Sequence, residues 1–242
     1  MTSKQDNSHD CKEVCSGGVI DLDLALTASF WLTSMFDGLA GEISDWSKLN
    51  LKQQFSAAQI AISHEHRKAA VSLVKAGVFT SAPILLRCSI EAYISALWVL
   101  EFGCESDLLV ILGATKPKKG EHHPSLPTFN KMMQKIKTLD DGFSPFFKNY
   151  LEPIYKATSD YAHSHGRQVS RWLRPEGLFS IHSDVEMLGV LDSVDFIGAA
   201  ALVARKRALN QDLNGALKLL ELVSKKHYRE PLVRLNFKNS IR

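Results

Sequence analysis

Residues 79–103, FTSAPILLRCSIEAYISALWVLEFG, decide the fold. From Ala82 to Leu100 the only charged residues are Arg87 and Glu91, one helical turn apart. Ile84, Leu85, Leu86, Ile90, Ile94, Leu97 and Trp98 surround nearly the whole circumference, and a helix apolar on all sides belongs in the centre of a bundle. Two charges placed there carry a large desolvation cost unless other groups satisfy them. Arginine preceding glutamate by four is the less favourable order within one helix, so local helix stability is a poor explanation for the pair. We expect a polar network that joins Arg87 and Glu91 to another helix, the one ending at Gly166.

Outward from this segment the chain reads as further helices. Residues 21–42 present an apolar face of Leu24, Phe30, Trp31, Met35, Phe36 and Leu39. Residues 50–76 carry Phe55, Ala58, Ile62, Ala69, Leu73 and Val74, and Gly77 follows as a C-terminal cap. The middle of that helix, His64-Glu65-His66-Arg67, reads as a solvated surface. After the central helix come a short apolar segment at Leu108–Leu112 and the loop KPKKGEHHPSLP. A helix over Thr128–Lys137 follows, then a turn at Asp140-Asp141-Gly142. Ser144 with Pro145 begins a helix that runs to His165 and bends near Pro153, where a backbone donor is missing. Residues 167–183 hold a hairpin-like excursion, and helices over Asp184–Leu209 and Asn214–Lys226 close the bundle. The expected architecture is a single-domain all-α helical bundle of about seven helices over residues 19–227, with a flexible leader at 1–18 and a basic tail at 228–242.

Composition narrows the function classes. With 45% hydrophobic and 23% charged residues in 242, the chain has the balance of a globular protein and ample length for a core. The net charge of +3 is unevenly placed: residues 225–242 carry a local +5, which leaves −2 for the rest. Such a tail suits nucleic acid, an anionic membrane or an acidic partner, or is simply solvated. MTSKQDNSHD lacks the pattern of a signal peptide. The uncharged run Leu24–Phe36 is too short to span a bilayer, so no membrane association is expected and the location is read as cytoplasmic. Cys11, Cys15, Cys88 and Cys104 read as reduced thiols. No metal site is expected, because His9, Cys11 and Cys15 lack a second ligand pair, and His64 and His66 are two apart rather than four. No dinucleotide fingerprint, phosphate-binding glycine loop or nucleophile elbow is present, and no cofactor is expected.

The segment with the parts for chemistry is Lys156–Arg171, KATSDYAHSHGRQVSR. On a helical wheel Phe147, Tyr150, Ile154 and Tyr161 share one face, and Lys156, Ser159, Asp160 and His163 cluster on nearly the opposite one. A histidine can move the proton of a ribose hydroxyl, and a cation can stabilise charge on phosphorus. The same face is also compatible with plain solvation, His163 and His165 then suiting the negative end of a helix dipole. Arg87 and Glu91 admit two roles as well, a phosphate-binding site or a buried pair that fixes helix register.

Two stretches together resemble an uncharacterised bacterial domain-of-unknown-function family. In residues 64–98, Ser81, Ala82, Leu85, Arg87, Glu91 and Trp98 match its pattern S-A-x-x-L-x-R-x-x-x-E-x-x-x-x-x-x-W. In SDYAHSHGRQVSR, residues 159–171, His163, Gln168, Val169 and Arg171 match its second signature. Ala162 stands where that family has threonine, and His165 where glycine is usual. The resemblance covers roughly residues 50–205. The family is similar in layout to HEPN-type helical domains, often metal-independent ribonucleases of toxin–antitoxin and phage-defence systems that act as homodimers. Those domains place an arginine a few residues before the histidine, whereas this chain has Lys156 six residues clear of His163, which loses the planar bidentate fork.

What the resemblance implies is a homodimeric HEPN-like protein of a bacterial defence or stress system, with RNA as substrate and a protein partner from the same system. In that reading His163, Arg87, Glu91 and Arg171 are catalytic, and Lys156, Ser159, Asp160 and Gln168 bind substrate. The alternative is a non-catalytic helical scaffold or regulatory subunit in which Arg87, Glu91 and His163 form a structural polar network. A third reading, nucleic-acid binding through the basic tail, finds little aromatic interleaving there to support it.

Overall fold

A computed structural model of the protein describes residues 21–41, 43, 45–116, 124–139, 147–162, 173–174, 177–178 and 182–225, without the side chains of residues 147, 148, 160 and the four between 173 and 178. The helices are α1 (Leu22–Ala40), α2 (Leu51–Lys75), α3 (Ala82–Phe102), α4 (Glu105–Ile111), α5 (Phe129–Ile136), α6 (Glu152–Ala162), α7 (Asp184–Ala208) and α8 (Asn214–Ser224). Among the described residues there are thus eight α-helices where about seven were expected. The strand pairing found among the described residues is a two-residue antiparallel ladder, β1 (Leu173–Arg174) with β2 (Gly177–Leu178), inside the anticipated excursion. The leader through residue 20, the loop at 117–123 with His122 and His123, the turn at 140–146 and the tail from residue 226 lie outside the described residues.

Local chemistry accounts for where the helices start and stop. Asn50 and Gln53 form a reciprocal capping box at α2, and Ser183 and Glu186 do the same at α7. Gly77, at φ 73°, ends α2: its N–H donates to Val74 O (3.1 Å) and the Val78 N–H donates to Leu73 O (2.9 Å). That left-handed turn lets α3 double back against α2. Ser63 Oγ donates to Ser89 O (2.9 Å) and Ser56 Oγ to Ala96 O (2.9 Å), so α2 and α3 run antiparallel with small side chains between them.

Two cores result. The larger one joins α2, α3, α5, α6 and α7 through Ile60, Val71, Leu86, Ile90, Tyr93, Ile94, Met132, Ile136, Leu151, Leu191 and Ile197. A smaller one packs α1 and α8 on the other side of α7, through Leu32, Phe36, Leu202, Leu219 and Val223. Helices α3 and α7 are each long and apolar enough to cross a membrane by length and composition, and each is largely buried among the other helices.

The most deeply buried charges are not those of α3. Arg67 and Asp195 are both shut off from solvent, and Arg67 Nη2 donates to Asp195 Oδ1 at 2.7 Å. Helix α1 completes the site: Arg67 Nη1 donates to Thr33 Oγ1 (2.8 Å), Nη2 donates to Ser29 O (3.0 Å), and Ser29 Oγ donates to Asp195 Oδ2 (2.6 Å). The Phe36 ring lies 4.4 Å from the guanidinium carbon. Gly198 makes room for it: a Cβ there would meet Arg67 Cδ at 2.6 Å and Nε at 2.9 Å. This overturns the surface reading of His64-Glu65-His66-Arg67 for Arg67, while Glu65 is exposed as expected. The run is charged, but α7 and α1 cover the side of α2 on which Arg67 falls.

His64 is largely buried beside it, with its ring 5.6 Å from that of Phe36 and no hydrogen-bond partner for Nε2 among the described residues. Burial first, then the Arg67, Arg205 and Lys68 cations, hold its pKa down to about 4. Folding therefore favours the neutral ring. Stability is full above the ordinary histidine value of 6.5, falls as the unfolded chain takes up the proton, and levels off below about 4. The expected loss across that window is about 3 kcal/mol. His64→Gln should flatten this part of the acid limb, measured as urea-unfolding free energy at pH 7 against pH 4.

Candidate functional site

Helix α6 meets α3 along a seam where the Arg87–Glu91 pair lies. Arg87 Nε donates to Glu91 Oε1 at 2.9 Å. The third member is a residue that the sequence did not single out, Tyr155. Its hydroxyl accepts from Arg87 Nη2 (3.0 Å) and donates to Glu91 Oε1 (2.9 Å), closing a triangle of three hydrogen bonds. The Arg87 guanidinium carbon is 4.8 Å from the Tyr155 ring centroid. Phe129 of α5 stacks on the same ring at 3.7 Å and 14°.

The expectation of a network joining the α3 pair to the following helix therefore holds, but through a phenol rather than the polar cluster ahead of Gly166. The pair also sits nearer the outside than the centre of the bundle: the Arg87 side chain is 16% exposed and that of Glu91 41%. Burial works against the charged guanidinium, yet the Glu91 carboxylate and the Tyr155 hydroxyl outweigh it and raise the Arg87 pKa. Burial, and the hydrogen bond to the Glu91 carboxylate, push the Tyr155 hydroxyl up. Burial and the Glu91 charge likewise raise the thiol of neighbouring Cys88, which is a free cysteine, as is Cys104. At neutral pH Arg87 is therefore a guanidinium and Tyr155 a neutral phenol.

The buried side of α6 does not coincide with the aromatic face drawn on the helical wheel. Tyr150 is 57% exposed, and the buried positions are Leu151 and Thr158, with Ile154 and Tyr155 packed partly against the core. The cause is a π-type turn over Phe147–Leu151 just ahead of Pro153. A wider turn there breaks the 3.6-residue phase on which the wheel from Phe147 depends. Taking the phase from Leu151 instead would have put Tyr155 on the inner face.

The other expected site residues fall as follows. Lys156 is exposed, and Ser159 Oγ donates back to Tyr155 O at 2.8 Å within its own helix. Asp160 lies on α6, but its side chain is outside the described residues, as are His163, His165, Gln168 and Arg171. The structure thus brings together Arg87 and Glu91 with Tyr155, and it places α6, the helix that leads into the second signature, against them. Among the described residues no three His, Cys, Asp or Glu side chains gather to hold a metal ion.

The chain belongs to DUF6988, a family of unknown function, whose sequence profile matches residues 60–213. The match takes in α3, α6 and α7 and begins within α2, after α1. No curated protein and no solved structure matches the chain.

Proposed function

We propose that the protein is a HEPN-like, cytoplasmic and homodimeric component of a bacterial defence or stress system that cleaves RNA without a metal ion. The observation that supports this reading is the fixed guanidinium of Arg87 on the α3–α6 seam. Glu91 holds its Nε and Tyr155 one of its terminal nitrogens, so the plane of the fork is set before any ligand arrives. A donor oriented in advance contributes most to a transition state that gathers charge on phosphoryl oxygens. In this scheme His163 removes the proton from a ribose 2′-hydroxyl, whose oxygen bonds to the adjacent phosphorus to give a 2′,3′-cyclic phosphate, while the bond to the 5′ oxygen breaks and that oxygen leaves with the proton returned by His163. Arg87 and Arg171 stabilise the phosphoryl charge, and Glu91 orients Arg87. Lys156, Asp160 and Gln168 contact the RNA, and Ser159 joins them by exchanging its bond to Tyr155 O.

The rival reading is a non-catalytic scaffold or regulatory subunit. It is favoured by the way in which Arg87, Glu91 and Tyr155 satisfy one another, as structural polar networks do. Incubation of the purified protein with RNA in excess chelator separates the two. Cleavage by the wild type that falls by a factor of about 100 or more in His163→Ala supports the ribonuclease. Equal cleavage by both, or none by either, defeats it.

A further inference from the structure

Away from the Arg87 cluster, a second imidazole is buried where the ends of three helices meet. The His182 side chain is 1% exposed. Its Nε2 lies 3.4 Å from Thr80 Oγ1, just ahead of α3, and its Nδ1 lies 3.9 Å from Glu186 Oε2 in the first turn of α7. Phe79 meets the ring edge-on at a centroid distance of 5.8 Å. Tyr161, next to last in α6, lies over it at 6.4 Å and 27°. The ring thus reaches Thr80 through Nε2, faces the Glu186 carboxylate with Nδ1 at a distance too long for a hydrogen bond, and meets rings from the start of α3 and the end of α6.

Which of the three depends on it can be argued from what else holds each one. The start of α7 has its own capping box between Ser183 and Glu186. The start of α3 follows directly on the turn at Gly77 and carries Pro83 in its first turn. Helix α6 is tied at its middle by Tyr155 to Arg87 and Glu91, and two turns later Tyr161 meets His182. An imidazole is a costly filler for a buried site unless its polar atoms have a task, since an aliphatic side chain would pack there without partners. Being closed to solvent, His182 cannot touch RNA, so any effect on chemistry passes through α6.

We propose that His182 is a positioning residue that fixes the last turn of α6 against the start of α3, and so fixes the stem from which the chain continues into His163. Its consequence for catalysis rests on the ribonuclease reading; its hold on α6 does not. The test uses the full chain as wild type, His182→Ala and His182→Gln, followed by amide hydrogen exchange and by RNA cleavage. In His182→Ala the amides of Ser159–Ala162 should exchange about tenfold faster, as expected for loss of one tertiary anchor, while those of Ile90–Leu97 stay as they were. His182→Gln, which can still reach Thr80 but offers Tyr161 no ring, should restore less than half of the protection. Cleavage by His182→Ala should lose about tenfold in kcat with KM unchanged, because the phosphate contacts are intact. Unchanged exchange at the end of α6 overturns the proposal, as does a loss shared equally by α3, which would signify general destabilisation. A raised KM at unchanged kcat overturns it too, since that would put His182 on the path of substrate binding. If the wild type cleaves no RNA, the ribonuclease reading fails and exchange alone decides whether His182 holds α6.

Discussion

Asp195→Ala is expected to lower the stability of the protein by about 3–5 kcal/mol, read as a shift of the urea midpoint at unchanged slope. The size follows from what is left behind. Arg67 has no access to water, so removing its carboxylate leaves a positive charge that, among the described residues, has Thr33, the Ser29 carbonyl and the face of Phe36 to solvate it. Ser29 Oγ loses its acceptor in the same step. The pair itself is a different matter. Two charges withdrawn from water recover in mutual attraction roughly what they lose in hydration, and matched apolar replacements are often as stable. Arg67→Met combined with Asp195→Leu should therefore regain most of the loss, and the double-mutant cycle should show coupling of at least about 2 kcal/mol. An Asp195→Ala cost below about 1 kcal/mol would show that the guanidinium finds water or another partner on mutation.

Arg87→Lys should reduce RNA cleavage nearly as much as Arg87→Ala, each by about 100-fold in kcat/KM. A lysine keeps the charge and reaches the same region, but it offers one ammonium where the fork offers a plane. Only the fork can be gripped at Nε by Glu91 and at Nη2 by Tyr155 while stacking on the phenol ring. The scaffold reading makes the opposite forecast for activity, since there is none to lose, and it expects the two substitutions to differ only in stability. Single-turnover cleavage at saturating enzyme separates a loss of phosphoryl stabilisation from a loss of folded protein, provided that circular dichroism confirms equal helix content.

The elements of the fold were largely legible because their signals are local. Asn50 with Gln53, Gly77, and Ser183 with Glu186 announce helix ends within a few residues, and the apolar circumference of α3 announces a core helix. The same reading went astray where the deciding partner is distant or where the helical phase breaks. Arg67 sits in a run of charged and polar residues that any local window scores as solvated, and its counter-ion lies on α7, far along the chain. The residues that admit it, Gly198 and Ser29, signal only small size. Tyr155 was hidden by the π-type turn at Phe147–Leu151, which shifts the inner face of α6. Of the candidate site, local patterning disclosed the charged pair on α3 and the helix that would meet it. It did not give away the phenol that joins them, because neutral hydroxyls leave no trace in charge patterning.

The first helix carries a further consequence. Thr33, the Ser29 carbonyl and Phe36 all belong to α1, whereas the family match starts only at residue 60. A fragment trimmed to the shared segment would carry Arg67 into an interior stripped of most of its solvating groups. Residues 60–213 are therefore not expected to reach full stability alone, because the groups that solvate Arg67 from α1 have to come with them.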